Sequence, residues 1–186
     1  DKDSCVIMSK LIDGKGKVCK YRVELALHSE GDNKMCIGIN PKLAETIAEE
    51  CLKRNYVLNL CNIKSYHREV KVLNSRFDFA GIDENGDRFI MEIKNVPLAD
   101  YVDVAKKDRE KYRNEIENKN FNEKISYFPD GYRKKSTDVV SERALKHINE
   151  LAEIKEKGIR TILCYVIQRT DIKHFQTSNI DLIYKK

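Results

Sequence analysis

The sequence predicts an α/β domain: a mixed β-sheet flanked by helices, with a short β-hairpin ahead of it. Three observations predict this. From residue 41 the patterns read helix, three strands, helix, strand. The three strands follow one another closely, as in a meander. The final run, 161–167, is nearly all apolar, as a strand covered on both faces must be.

Composition narrows the class. Of 186 residues, 41% are hydrophobic, enough for a core. Charged residues reach 35%, above the usual ~25%. With 8 Gly and 3 Pro, collagenous, mucin-like and disordered readings are excluded. No run approaches the ~20 apolar residues of a membrane span, and nothing resembles a signal peptide. A soluble domain is expected, in a reducing intracellular compartment (cytoplasm or nucleus). Cys5, Cys19, Cys36, Cys51, Cys61 and Cys164 form no CxxC pair and read as free thiols. The four histidines show no zinc spacing. A net charge of +5 suits a polyanionic partner, but the placement of the cations must decide. The chain starts at Asp1 without a methionine, so trimmed ends are expected.

The elements follow in order. Residues 17–28 alternate apolar and polar around Val and Tyr, giving a strand. Gly31-Asp32-Asn33 turns it into a second short strand over 35–39. Such a hairpin needs something to pack on. Residues 1–39 are therefore set apart as a short β segment, and 40–186 as the main domain. Asn40-Pro41 opens a helix, by capping and by the preset φ of proline, with Leu43, Ile47 and Cys51 at i, i+4 and i+8. Strands are expected over about 67–72, 75–82 and 88–95. The charged stretch of about 100–124 reads as an exposed helix or an insertion. Ser141-Glu142 starts a helix with a stripe of Ala144, Leu145, Ile148, Leu151, Ala152 and Ile154, and Gly158 ends it.

The chemistry concentrates in residues 75–94. Glu92-x-Lys94 follows a strand that carries the isolated acid Asp78. The tripeptide alone says little, since Glu69-Val70-Lys71 and Glu153-Ile154-Lys155 also match. Register says more. A three-residue loop Glu84-Asn85-Gly86, with Gly86 at positive φ, pairs residues whose numbers sum to 170. A two-residue Asn85-Gly86 loop would put Asp78 and Glu92 on opposite faces; the apolar pattern suits the first. Asp78 then faces Glu92, and Arg76 faces Lys94. Alternation puts these four on one face and Phe77, Phe79, Phe89, Met91 and Ile93 on the other. Two opposed carboxylates repel unless a cation lies between them. Hard oxygen ligands of this kind suit Mg²⁺ or Mn²⁺, with Lys94 holding an attacking water. An exposed cross-strand salt-bridge cluster fits the same spacing.

Several blocks together resemble the sugar fermentation stimulation protein family. They are Arg68-Glu69-Val70, Ser75-Arg76-x-Asp78-Phe79, Glu92-x-Lys94, Phe128-Pro129-Asp130, Glu142-Arg143-x-x-Lys146-His147-x-x-Glu150-Leu151, Gly158-x-Arg160 and Gln168-Arg169. The resemblance spans about residues 66–175. It implies a restriction-endonuclease-like, PD-(D/E)xK fold with an αβββαβ core, DNA as partner with RNA as a second candidate, and a metal-dependent phosphodiesterase site. Asp78, Glu92 and Lys94 fall on its motif positions, and Glu69 matches a further acid for the metal. It also makes residues 1–39 the tail of an oligonucleotide-binding-type barrel. In that light Arg76, Arg133, Lys134, Lys135, Arg143, Lys146, His147, Gln168 and Arg169 become candidate nucleic-acid contacts. Without it, the helix cations read as a solvated face.

The leading expectation is a Mg²⁺-dependent DNA nuclease. The alternative is a non-catalytic DNA-binding regulator on the same scaffold. A third, weaker reading is an interaction domain using the charged segment.

Overall fold

The computed structural model describes residues 5–11, 19–58, 60, 62–129 and 139–186. Three antiparallel strands come first: β1 (Cys5–Lys10), β2 (Tyr21–Glu30) and β3 (Asn33–Gly38), with β2 in the middle. The expected hairpin is β2–β3, turning where Gly31 takes φ +57°. β1 is a third strand that the sequence pattern does not announce.

Next comes α1 (Lys42–Lys53). Asn40 Oδ1 accepts the Lys42 N–H at 3.1 Å, and its Nδ2 donates to Glu24 Oε2 at 2.8 Å. One side chain thus steadies the helix start and ties it to β2. The buried stripe is Ala44, Ala48 and Leu52, one position on from the expected one, and Ile47 is exposed. The two alanines let α1 lie close against Phe79, Phe89, Met91 and Ile93.

The sheet that positions the site consists of β4 (Ile63–Val72), β5 (Ser75–Asp83), β6 (Arg88–Val96) and a later strand. Then follow the short β7 (Ala99–Asp100), a 3₁₀ turn at Lys106–Tyr112, α2 (Arg113–Glu117), a second 3₁₀ turn at Phe121–Glu123, and β8 (Ile125–Phe128). The charged stretch is therefore a string of short turns laced by local ion pairs, such as Arg113–Glu117 at 2.9 Å. α3 (Glu142–Glu156) is capped by Ser141, whose Oγ accepts the Ala144 N–H at 3.3 Å. Gly158 ends it at φ +81°. β9 (Arg160–Ile167), β10 (His174–Thr177) and α4 (Leu182–Lys185) complete the chain.

The central sheet runs β4-β5-β6-β9, antiparallel through β6 and parallel between β6 and β9. A smaller sheet has the order β10-β8-β7. On one face of the central sheet α1 covers Phe79, Phe89, Met91 and Val166; on the other, Leu151 and Ile154 of α3 meet Phe77 and Ile90. Both faces of β9 are covered, with Ile162 and Cys164 toward α1 and Leu163 toward α3. The order α1, β4, β5, β6, α3, β9 is the expected αβββαβ succession within a mixed α/β fold.

A buried ionic network joins the early strands to the rest. Lys124 Nζ reaches Glu30 Oε2 and lies 3.7 Å from Asp171 Oδ2, and its ammonium stands 4.3 Å over the Phe121 ring. The Tyr101 hydroxyl donates to Glu30 Oε1. Arg169 grips Asp171 through two bonds, at 3.0 and 2.8 Å. Burial, then the Glu30 charge, pushes the Tyr101 hydroxyl up to about 12. Burial opposes ionisation of Glu30 and Asp171 as well, yet their cationic partners hold both below the usual carboxylate range. Cys5, Cys19, Cys36, Cys51 and Cys164 are free thiols, and Cys61 lies outside the described residues.

Candidate active site

The β5–β6 loop sets the register. Gly86 takes φ +86°, and the Asp83 N–H donates to the Asp87 carbonyl at 3.1 Å. The buried Asp83 carboxylate accepts the Asn85 and Asp87 N–H groups, each at 3.0 Å. The paired residues are Ile82–Arg88, Gly81–Phe89, Ala80–Ile90 and Phe79–Met91, all summing to 170.

The ladder stops one residue short of Asp78. Beyond it β6 continues beside β9, and the Asp78 carboxylate accepts the Ile93 N–H through Oδ2 at 2.6 Å. On its other side Asp78 lies opposite Glu69 of β4, and that pair is skipped too. Between the pairs Arg68–Phe79 and Val70–Phe77, Glu69 is unpaired and takes φ +53°. A non-glycine residue with positive φ inside a strand is a local distortion. The distortion lies opposite Asp78, the point at which the alternation of β5 breaks. Phe79 packs under α1, but Phe77 turns to the α3 side with Ile90, so the expected grouping of all five apolar residues fails at Phe77.

Glu92 and Lys94 also differ from the expected exposed face. They are 4% and 9% exposed, enclosed beneath α3. Glu92 Oε1 accepts from Lys94 Nζ at 2.7 Å and from His147 Nδ1 at 2.5 Å. Its other oxygen, Oε2, is buried with no hydrogen-bond partner among the described residues. His147 reaches this position because it shares the buried stripe Ala144, His147, Leu151, Ile154 of α3 and leans against Phe77. Burial, opposed by the Ile93 N–H and reinforced by the charges of Glu92 and Glu45, pushes Asp78 up to about 6. Glu92 also helps hold the Tyr184 hydroxyl far above its usual range, behind burial and the Tyr165 hydroxyl, which is 2.9 Å away.

This donor set fits a hard divalent cation: two carboxylates that feel each other's charge, one with an orphaned buried oxygen. Among the described residues, no group of three or more His, Cys, Asp or Glu side chains converges as a complete ligand set. Glu69 is not in the cluster; its carboxylate pairs with Arg76 at 3.1 Å on the exposed surface.

The candidate nucleic-acid contacts divide. Arg76, Arg143, Lys146 and His147 line one groove of about 540 Å³, together with Asn74, Ser75 and Glu142. His147 forms the wall between this groove and Glu92. Gln168 and Arg169 are instead used in packing. Gln168 donates to Asn95 Oδ1 at 2.7 Å and lies so near Gly38 that a β-carbon there would sit 2.4 Å from its Oε1. Arg169 is taken up by Asp171, the Pro97 carbonyl and Met35. Arg133, Lys134 and Lys135 lie outside the described residues. Two members of the site escape sequence reasoning. Ser75 stands inside a recognised block with nothing to mark it as buried, and Tyr184 comes from a short terminal helix with no patterned approach.

A family model described as the sugar fermentation stimulation protein RE domain matches residues 42–107 and 99–186. The chain belongs to the sugar fermentation stimulation protein family. A homolog from Alteromonas mediterranea is 32% identical over 186 residues, covering 96% of this chain and 64% of that protein. One from Clostridium tetani is 29% identical over 150 residues, covering 81% of this chain and 52% of that protein. The chain thus spans between about half and two thirds of the length of these relatives. The solved family member from Pyrococcus furiosus, in complex with Ca²⁺, matches with a TM-score of 0.55 at 15% identity, covering 96% of this chain and 69% of that one. That similarity establishes a shared fold. Among the described residues, no helix is long and apolar enough to cross a membrane.

Proposed function

We propose that this chain is a divalent-metal-dependent nuclease that hydrolyses DNA phosphodiester bonds, with Asp78, Glu92 and Lys94 as its catalytic set and Mg²⁺ or Mn²⁺ as cofactor. The observation that carries the reading is the orphaned Glu92 Oε2, buried near a second carboxylate raised to about 6. A carboxylate oxygen without a partner is costly unless a cation comes to it. Asp78 and Glu92 would hold the ion, leaving room for the waters that Mg²⁺ retains. When bound, such an ion supplies a water of lowered pKa and positive charge beside the phosphorus. The protein's own part is positioning. Lys94, anchored to Oε1 at 2.7 Å, offsets charge on a non-bridging oxygen and orients water. His147 fixes the Glu92 carboxyl plane so that Oε2 remains the free oxygen, a supporting contact of the kind that tunes metal sites. That the Pyrococcus furiosus relative is solved in complex with Ca²⁺ supports a divalent cation as a ligand here.

A second reading, a non-catalytic DNA-binding regulator, is favoured by one observation. Lys94 and His147 already occupy Glu92 Oε1, and no third acidic ligand joins the pair among the described residues. Incubation with duplex, single-stranded and branched DNA, and with RNA, separates the two. Cleavage that needs Mg²⁺ or Mn²⁺, stops with EDTA, and falls more than about a hundredfold in Asp78→Asn and Glu92→Gln is expected. Salt-dependent DNA binding with no metal-dependent cleavage of any substrate would establish the regulator instead.

A further inference from the structure

The groove beside the acidic pair has a chemistry of its own. It lies between the start of β5 (Asn74, Ser75, Arg76) and the first two turns of α3 (Glu142, Arg143, Lys146, His147). Arg76, Arg143 and Lys146 bring three cations to it; Glu142 lines it as well, while Glu69 pairs with Arg76 at 3.1 Å and Glu150 lies 3.7 Å from Lys146. Ser75 is only 6% exposed, and its Oγ is buried without a hydrogen-bond partner among the described residues. A hydroxyl left in that state costs free energy that a bound acceptor would recover. The α3 N-terminus is already capped by Ser141, so it is the side chains that define this place. Arg76 pairs with Glu69, exposed on both sides, and exposed pairs are cheap to break. Lys146 is steadied by the Asn74 carbonyl at 2.9 Å, which holds the two walls of the groove together.

From this juxtaposition of an unpartnered buried hydroxyl with three converging cations we infer that the groove is a phosphate-binding subsite, with Ser75 as its neutral donor and Arg76 and Arg143 as its guanidinium arms. Arginine suits the task, because its planar fork matches phosphate oxygens. The ligand is a phosphate carried by a nucleic-acid strand. The same chemistry is offered by an internal phosphodiester and by a terminal phosphomonoester. His147 both lines the groove and contacts Glu92, so the subsite would hold a phosphate neighbouring the one presented to the acidic pair. Its existence does not depend on cleavage, since a phosphate can be gripped here whether or not a bond is cut.

The test is therefore a binding experiment in EDTA, which removes the metal. Fluorescence anisotropy with labelled oligonucleotides is measured over a salt series, with inorganic phosphate as competitor. Arg143→Gln is expected to weaken binding and to lower the salt slope by about one phosphate contact. Ser75→Ala is expected to weaken binding about fivefold with the salt slope unchanged, because it removes a neutral hydrogen bond. Its melting temperature should hold or rise, since an unsatisfied buried hydroxyl is gone. Inorganic phosphate should compete less well in both variants. If 5′-phosphorylated strands bind more tightly than 5′-hydroxyl or circular ones, and Ser75→Ala erases the difference, the ligand is a terminal phosphate. If all three bind alike and both variants weaken them equally, it is an internal phosphodiester. Wild-type affinity in both variants, or a Ser75→Ala defect that merely tracks lost thermal stability, overturns the subsite. Failure of the nuclease reading would show separately, as absent cleavage with these binding results intact.

Discussion

Lys124 and Asp171 are buried in the network beneath the early strands, and Glu92 and Lys94 are buried beneath α3, yet the two places handle charge differently. In the first, every carboxylate oxygen has a partner. Both oxygens of Asp171 are gripped by Arg169, and both oxygens of Glu30 are taken, one by Lys124 and one by Tyr101. In the second, Glu92 Oε2 has none, and Asp78 answers to a single backbone N–H. The carboxylates respond in opposite directions: Glu30 and Asp171 are held low, while Asp78 is pushed up to about 6. A closed network is consistent with a structural task alone. An open one retains unfavourable electrostatics in the isolated chain, and such local disagreement with good packing marks places kept for a ligand.

The largest effect should come from opening the closed network. Asp171→Ala leaves Arg169 buried without its carboxylate and Lys124 with Glu30 alone. Breaking a buried pair in this way costs about 3–5 kcal/mol. Urea unfolding measures it directly. A loss below about 1 kcal/mol would mean that the network contributes little, and the contrast between the two regions would collapse.

Asp78→Asn should behave in the opposite manner. The amide oxygen can still accept the Ile93 N–H, while the charge facing Glu92 and Glu45 disappears. In EDTA the substitution should change stability little in acid and raise it at neutral pH. The direction follows from linkage. A carboxyl raised from 3.8 to about 6 contributes stability that is fully present below its unfolded value and is lost as pH rises through about 6. Wild type therefore loses ground to Asp78→Asn between about pH 4 and pH 7. Melting temperatures of the two proteins across that range test it. A gap that stays constant, or that widens toward acid, would place Asp78 with the structural carboxylates.

How far this contrast could be read from sequence depends on what each residue type signals locally. The αβββαβ order was legible because capping, turns and apolar runs are short-range signals. The register of β5 and β6 was legible because Gly86 narrows the turn to a two- or three-residue loop, and the apolar alternation favours the three-residue one. What defeated the pattern was Glu69: a charged residue in a strand carries no mark that its φ will be positive, so the switch of Phe77 to the α3 face was invisible. His147 was read as a phosphate contact when its spacing with Ala144, Leu151 and Ile154 already put it on the buried stripe. Gln168 and Arg169 have polar side chains at a strand exit, and only tertiary structure shows that Gly38 and Asp171 claim them. The closed network joins Glu30, Lys124 and Asp171 across nearly the whole chain, a separation at which sequence pattern gives no cue.

The smallest effect is expected at Glu24, a closed arrangement on the surface. Its carboxylate accepts from Ser9 Oγ at 2.5 Å and Arg22 Nε at 2.8 Å on one oxygen, and from Asn40 Nδ2 at 2.8 Å on the other. These bonds, Ser9 first, then Asn40 and Arg22, lower it from 4.5 to about 2. Here the linkage runs the other way from Asp78. A depressed carboxylate contributes stability that is present above its unfolded value and is lost as pH falls through its folded one. Glu24→Gln should therefore lower the melting temperature slightly at neutral pH, and the deficit should shrink as pH falls from about 4.5 toward 2. Because the group is only partly covered and lies near the surface, salt should diminish the effect further. Glu24 bridges β1, β2 and the residue that caps α1, so loss of its charge should appear first as faster amide exchange at Lys42 and along β1. Unchanged exchange there, with the melting curve shifted equally at every pH, would detach Glu24 from the closed class and leave the buried network as its sole example.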